Sequence, residues 1–149
     1  MRSAAPSQRM SRDEKMATPI TVLLVDGHAG VRAALADRLC HAPGVGAVTA
    51  TGTLEAAVQL SQEVIPDVVL YDPRTVAGNA ADGVRLLGQG GRPVVVLTSS
   101  LLEDERAALL RAGAAAVLLK GTAIPTLLAA MAATLTRAPE QPDDDSSLS

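Results

Sequence analysis

The sequence predicts an α/β fold built around one parallel sheet. Short aliphatic and β-branched runs alternate with segments of helical periodicity about five times along the 149 residues. Such alternation is typical of strand–helix–strand units, whose right-handed crossovers allow few topologies. Four of the runs are predominantly apolar and end in a polar residue, as expected of strands buried on both faces of a sheet. Because the carboxyl ends of parallel strands border the ligand crevice, we expect the functional site at that edge.

The first strand is predicted over residues 20–25, directly before Asp26. A helix over residues 30–41 follows the turn, and Pro43 and Gly44 end it. The apolar face of this helix is formed by residues at helical spacing, namely Val31, Leu35 and Leu39. The strand therefore places Asp26 at the predicted functional edge.

The next unit contains a weaker second strand over residues 45–51 and a helix that Thr53 is positioned to cap. The apolar face of that helix is predicted to contain Leu54, Val58, Ser61 and Ile65. The third strand follows Pro66 and runs through Val-Val-Leu-Tyr to Asp72. It places a second carboxylate at the same edge.

The second half of the chain continues the alternation. A loop of small residues over 73–80 leads into a helix over 81–89, which Gly90 and Gly91 end. The fourth strand, residues 94–97, ends in the hydroxyl-bearing residues Thr98, Ser99 and Ser100. This strand therefore adds hydroxyl groups to the two carboxylates.

The last two units follow the same pattern. Ser100 and Glu103 have capping-box spacing, which predicts a helix from there to residue 112. The fifth strand, residues 116–119, ends in Lys120, and a final helix begins near Ile124. Its apolar stripe is formed by Leu127, Met131 and Leu135. Lys120 thus brings an ammonium group to the edge that carries the carboxylates.

Composition narrows the class of protein. Residues 1–18 and 138–149 are polar and lack periodicity, so we expect two disordered tails around one domain over residues 19–137. No apolar run approaches the ~20 residues that span a bilayer, and the single Cys40 fits a reducing compartment. The net charge of −3 and the near absence of aromatic residues argue against nucleic-acid binding. We therefore expect a cytoplasmic protein without membrane or direct nucleic-acid contacts.

Four segments, in order and at the right spacing, resemble the motifs of response-regulator receiver domains. They are Val22–Asp26 with His28, Pro66–Asp72, Val95–Thr98, and Arg111–Ala114 leading to Leu118–Lys120. The resemblance covers about residues 20–137 and is closest in character to receivers of NarL/LuxR-type actinobacterial regulators, which precede a helix-turn-helix output domain. Such an output domain is not found in this sequence, so we expect a stand-alone receiver. The resemblance implies a flavodoxin-like (βα)5 three-layer sandwich with strand order 2-1-3-4-5.

The resemblance also implies a role for each polar strand end. Asp72 is expected to accept a phosphoryl group from a histidine kinase or phosphotransfer protein, with Mg2+ held by Asp26 and Asp72. Thr98 and Lys120 are expected to contact the phosphoryl oxygens. A carboxylate is a suitable nucleophile, and cations must offset the oxygen charges. The implied function is phosphorelay signalling rather than enzymatic turnover, with a partner or homodimer contact through the last two helices.

Two departures from the family pattern concern the metal and the phosphoacceptor. Gly27 stands where the family has a second acid that binds the metal directly, and Pro73 removes an amide donor beside Asp72. A net loss of ~2 kcal/mol from the missing charge corresponds to about thirtyfold weaker Mg2+ binding. Since Mg2+ often keeps several waters and only one or two carboxylates, we expect weakened rather than abolished binding.

Three further departures concern the loop and the switch. Val76 replaces the usual proline, the acid–glycine pair Asp82-Gly83 comes about three residues late, and Val117 replaces an aromatic switch residue. These changes define a degenerate receiver. They leave open an alternative function, that of a pseudo-receiver that works without phosphorylation. Such a domain would bind a protein partner, or a small ligand near the enlarged loop.

A phosphatase of the haloacid-dehalogenase type is a more remote alternative. Its nucleophile would be Asp26, but position 28 holds a histidine where such enzymes need an acid. Simpler interpretations also exist for each residue. Asp26 and Thr98 could serve merely as helix-cap or turn residues, and Lys120 could be a solvated lysine at the end of its strand. His28 is assigned to the surface of its turn.

Overall fold

The computed structural model describes residues 18–75, 79–100 and 102–136. Five parallel strands form one sheet of order β2-β1-β3-β4-β5. The strands are β1 Ile20–Val25, β2 Val45–Thr51, β3 Val68–Tyr71, β4 Val94–Thr98 and β5 Ala116–Leu119. The predicted fold class and strand order are therefore confirmed.

The helices cover both faces of the sheet. They are α1 Ala29–Cys40, α2 Leu54–Val64, α3 Ala80–Leu87, α4 Glu103–Arg111 and α5 Ile124–Thr136, with a short 3-10 turn at Pro73–Thr75. One core cluster joins the sheet to α2, α3 and α4, and a second joins it to α1 and α5. Among the described residues, no helix has both the length and the apolar character needed to cross a membrane.

Strands β3 and β4 form the centre of the core. Every residue of both strands is buried, and successive side chains alternate between the two clusters. Val69 and Tyr71 face α2 to α4, whereas Val68 and Leu70 face α1 and α5. Burial on both faces explains why these runs carry no charge before their carboxyl ends.

Tyr71, the single aromatic residue, lies against α3. A Cβ atom at Gly83 would overlap its hydroxyl, so only glycine leaves room for the ring there. The hydroxyl is buried and has no hydrogen-bond partner in the described part of the chain. Burial, together with the neighbouring charge of Asp72, raises the pKa of Tyr71 to about 12.

Two predictions about helix ends were wrong, and Val31, expected on the apolar face of α1, is 47% exposed. Ile65, expected on the buried face of α2, is 72% exposed and ends the helix in the left-handed region at φ 54°. Pro66 disfavours the helical conformation at the preceding residue, so the helix stops at Val64, one residue before the apolar pattern ends.

The second wrong prediction is the capping box. Helix α4 begins at Glu103 after Leu102, and Ser100 is held instead by Thr98, whose hydroxyl donates to the Ser100 carbonyl at 2.9 Å. Three acids in the first turn, Glu103, Asp104 and Glu105, offset the positive end of the helix dipole. The predicted tails up to residue 17 and from residue 138, and the departure at Val76, lie outside the described residues.

Candidate functional site

Asp26 and Asp72 lie side by side because their strands are neighbours in register. Val25 pairs with Tyr71, and the Asp72 amide donates to the Val25 carbonyl at 2.9 Å. Both aspartates are almost completely buried, with exposed fractions of 1% and 2%. The structure therefore brings the two predicted carboxylates together at the carboxyl edge of the sheet.

Lys120 joins the two carboxylates. Its backbone amide donates to the Thr98 carbonyl at 2.7 Å, which fixes the end of β5 beside the end of β4. Its Nζ lies 2.6 Å from Oδ2 of Asp26 and 2.6 Å from Oδ2 of Asp72. Both contacts are ion pairs at hydrogen-bonding distance.

The ionisation of this cluster follows from its contacts. Burial raises the pKa of Asp26, but hydrogen bonds from Lys120 and from the His28 amide outweigh it and leave the pKa below its ordinary value. Burial lowers the pKa of Lys120, and the hydrogen bonds to Asp26 and Asp72 outweigh that effect, so its pKa is raised. Asp26 and Lys120 therefore stay charged near neutral pH.

The second oxygen of Asp72 is held by the turn that follows it. The Arg74 amide donates to Oδ1 at 2.9 Å, and the Thr75 amide donates to the Asp72 carbonyl at 3.0 Å. Pro73 has no amide hydrogen, so the first donor to the carboxylate comes one residue later. Both carboxylate oxygens of Asp72 are thus oriented by donors.

Thr98 ends β4 at the same edge and is 7% exposed. Its hydroxyl donates to the Ser100 carbonyl at 2.9 Å and lies 3.4 Å from the Ser100 amide. The structure places Thr98 near the cluster while its hydroxyl bonds within its own turn.

Gly27 occupies a position with room for a side chain. Its amide donates to Thr75 Oγ1 at 3.1 Å, and a Cβ atom there would lie 3.5 Å from Thr75 Cα, an ordinary contact. The absence of a second acid is therefore not imposed by packing.

His28 was assigned from the sequence to the surface of its turn, but its ring also contacts the site. Its side chain is 56% exposed, as expected of a turn, but Nδ1 lies 3.3 Å from Asp26 Oδ1 and 3.8 Å from Asp72 Oδ2. The His28 amide donates to Asp26 Oδ1 at 2.9 Å, which folds the turn back over the carboxylates. The spacing of two residues after Asp26 was the signal that could have revealed this.

Arg32 is a second residue that the sequence did not single out. Its Nη1 donates to the Asp26 carbonyl at 2.8 Å and lies close to Gly52. A side chain at Gly52 would meet this guanidinium. Arg32 therefore helps to fix the backbone at the end of β1.

The donor set fits a divalent cation. One ligand atom each from Asp26, His28 and Asp72 can be chosen so that all three lie within 4.8 Å of one another. Buried carboxylates without enough positive charge nearby attract hard cations, for which carboxylate oxygens are the usual ligands. Asp26 and Asp72 are the residues that would hold Mg2+.

A parallel sheet of order 2-1-3-4-5 with two buried aspartates and a lysine at its carboxyl edge is the arrangement that the resemblance to response-regulator receiver domains implies. No family model matches the sequence. Comparison with curated proteins and solved structures shows that the chain is similar to response regulators, among them the nitrate/nitrite regulators NarP and NarL, and to a solved receiver domain.

Two curated relatives and one solved structure illustrate the similarity. The nitrate/nitrite response regulator protein NarP of Escherichia coli is 31% identical over 78% of this chain and 55% of its own length. The transcriptional regulatory protein LiaR of Bacillus subtilis is 33% identical over 68% of this chain and 49% of its own length. The BeF3-activated receiver domain of Klebsiella pneumoniae RstA is 26% identical, with a TM-score of 0.69 over 78% of this chain and 99% of that one. This chain spans about half the length of the curated relatives it matches.

Proposed function

We propose that this chain is an atypical receiver in which Asp72 accepts a phosphoryl group from a histidine kinase or phosphotransfer protein. The observation that carries the proposal is the ammonium of Lys120, which lies 2.6 Å from both buried carboxylates at the carboxyl edge of the sheet. Relatives named as response regulators support a role in two-component signalling.

Asp72 acts as the nucleophile in this proposal. An oxygen of its carboxylate forms the new bond to phosphorus as the bond to the donor breaks, and the product is an acyl phosphate. Oδ1 already accepts from the Arg74 amide at 2.9 Å and Oδ2 from Lys120 at 2.6 Å, so the carboxylate is oriented before the donor arrives.

Lys120 and Thr98 act on the transferred group. The ammonium can turn from the carboxylates to the phosphoryl oxygens as these approach, and the Thr98 hydroxyl can exchange its bond to Ser100 for one to the new phosphate. Asp26 and Asp72 would hold a divalent cation, which would supply further neutralisation of the phosphoryl charge. Gly27 contributes no carboxylate, so we propose that this site binds Mg2+ more weakly than a receiver with two adjacent acids.

The test is phosphorylation by acetyl phosphate with Mg2+, followed by intact mass measurement. We expect a mass gain of one phosphoryl group that is lost in Asp72→Asn and kept in the control Asp82→Asn, whose carboxylate is 65% exposed and pairs with Arg85. No mass gain at high donor concentration with any divalent cation would overturn the proposal.

A second candidate is an interaction module that works without phosphorylation. Two observations favour it: the Thr98 hydroxyl is engaged by Ser100, and the buried Val117 offers no aromatic ring that could change position. Its contact surface would be α5 with α4, joining a protein partner or a second copy. Oligomeric mass that is the same with and without beryllofluoride and Mg2+ would favour this candidate, and a change on addition would exclude it.

The phosphatase alternative requires an acid two residues after Asp26, and the chain does not have one there. The residue two after Asp26 is His28, whose amide and ring both contact the Asp26 carboxylate. Turnover of an aryl phosphate that disappears in Asp26→Asn would be required to revive it.

A further inference from the structure

We propose that His28 completes a mixed nitrogen and oxygen metal site with Asp26 and Asp72, so that the site prefers divalent transition metals to Mg2+. The class of metal is the one that accepts imidazole together with carboxylate, such as Co2+, Ni2+ or Zn2+. This inference rests on the proposed function in one respect, since it uses the same two carboxylates.

Two of the three separations between the ligand atoms support this site, both of them from the His28 ring. Nδ1 of His28 lies 3.3 Å from Asp26 Oδ1 and 3.8 Å from Asp72 Oδ2. Nitrogen and oxygen ligands about 2.0–2.2 Å from one metal ion lie roughly 3.0–3.5 Å from each other. The first separation falls in that range, and the second exceeds it by only a few tenths of an ångström.

The composition of the site determines its preference. Gly27 provides no oxygen, whereas Mg2+ requires a nearly complete octahedron of oxygen ligands. The side chain at hand beside the two carboxylates is an imidazole, which suits transition metals. Compared with a site that has a third carboxylate, a site with an imidazole in its place also carries less of the negative charge that attracts a hard cation.

The local backbone holds these ligands in place before any metal binds. The His28 amide donates to Asp26 Oδ1 at 2.9 Å, and Arg32 Nη1 donates to the Asp26 carbonyl at 2.8 Å. Asp26 and Asp72 are 1% and 2% exposed, so their rotamers are confined. His28 is the exposed wall of the site, which leaves an entry path for an ion.

Lys120 competes with a metal ion for the two carboxylates. Its Nζ lies 2.6 Å from Oδ2 of each aspartate, so an incoming cation must share or displace it. An ammonium opposes all dications alike. Removing it should therefore raise the affinity for Mg2+ and for transition metals by similar factors, whereas removing His28 should change the preference between them.

The experiment measures dissociation constants of Mg2+, Co2+ and Zn2+ on the full chain by competition with a fluorescent indicator. All variants carry Cys40→Ser, because Asp37, Cys40 and His41 form a second group of possible ligands at the end of α1. His28→Ala and His28→Gln are compared with the control His41→Ala, and imidazole nitrogen resonances are followed by NMR during the Co2+ or Zn2+ titration.

We expect both His28 variants to weaken Co2+ and Zn2+ binding at least tenfold and to leave Mg2+ binding within about twofold, while the His41 variant keeps the preference of its parent. Equal losses for all three metals, or no loss, would overturn the inference. The phosphorylation test is a separate readout. A mass gain on Asp72, together with metal binding that does not depend on His28, overturns only this inference. No mass gain, together with metal binding that does depend on His28, overturns only the proposed function.

Discussion

Nζ of Lys120 lies 2.6 Å from Oδ2 of Asp72, across 48 residues of sequence. The contact exists because β5 and β3 flank β4 and all three strands end at one edge. The same ammonium reaches Asp26 at 2.6 Å, so one positive charge serves two buried negative charges. The site is therefore charged, compact and short of one positive charge.

Replacing Lys120 with Met should destabilise the fold by about 3 kcal/mol at neutral pH without added metal. The substitution leaves two buried carboxylates facing each other without a counter-charge, which is the costly way to break a buried ion pair. The free energy of unfolding in urea measures the effect, with Arg111→Met, at an exposed position on α4, as control.

A divalent cation should restore part of that loss. Mn2+ or Co2+ at millimolar concentration should stabilise Lys120→Met more than the parent chain, because the ion replaces the missing charge. Equal stability of the variant and the parent without metal would contradict the assignment of Lys120 as the counter-charge.

Replacing Gly27 with Asp should strengthen Mg2+ binding about thirtyfold. The added side chain restores a carboxylate next to Asp26, and its Cβ makes only ordinary contacts with Thr75. Titration with Mg2+ followed by NMR measures the affinity, and the rate of mass gain with acetyl phosphate should rise in parallel.

Gly30→Asp is the matched control for this change. It adds the same charge at an exposed position of α1, where a Cβ meets nothing within 4 Å. Its Mg2+ affinity should stay within about threefold of the parent, because position 30 is four residues beyond Asp26 rather than next to it and solvent screens the added charge. Similar affinities of the two variants would show that Gly27 is not the missing ligand position.

The sheet and the meeting of Asp26, Asp72 and Lys120 were predictable because they depend on strand order alone. A strand buried on both faces must be apolar until it leaves the sheet, so its first polar residue marks the functional edge. The predicted strands and the residues that end them agree with the structure for this reason.

The errors occur where one hydrogen bond or one dihedral angle decides the outcome. His28 reaches the carboxylates because its amide bonds to Asp26 Oδ1, and periodicity contains no information about that bond. Ile65 continues the apolar spacing of α2, yet Pro66 disfavours the right-handed helical conformation there, and the residue ends the helix in the left-handed region at φ 54°. Thr98 was placed correctly by its strand, whereas its hydroxyl direction depends on Ser100.

Replacing Ile65 with Asn should stabilise the fold by about 1 kcal/mol. A β-branched residue is strained at φ 54°, and Asn tolerates the left-handed region at a helix end. Since Ile65 is 72% exposed, little hydrophobic burial is lost. Thermal unfolding measures the change.

Ile65→Val provides the comparison for this prediction. Valine keeps the branch at Cβ and hence the backbone strain, so its stability should equal that of the parent. A gain in Ile65→Val as large as that in Ile65→Asn would mean that the strain at this position has no bearing on stability.

Replacing Tyr71 with Phe should stabilise the fold by about 1 kcal/mol at neutral pH. The hydroxyl is buried against Gly83 and has no partner among the described residues, so its removal ends a desolvation penalty. The ring keeps its place in the core because Phe fills the same volume less one oxygen. The free energy of unfolding in urea measures this gain.

The same substitution should flatten the loss of stability at alkaline pH. Burial raises the pKa of Tyr71 to about 12, above the ordinary value of 10.0, so the unfolded chain releases the proton first as pH rises. The fold therefore favours the neutral form of Tyr71. The contribution of this preference to the free energy of unfolding is complete below pH 10 and lost by pH 12. The parent should lose about 2 to 3 kcal/mol from this group across that window, and Tyr71→Phe should lose none of it. Lys120 is present in both proteins, so the difference between their curves isolates Tyr71. Parallel curves from pH 9 to 12 would contradict a buried, unpartnered hydroxyl.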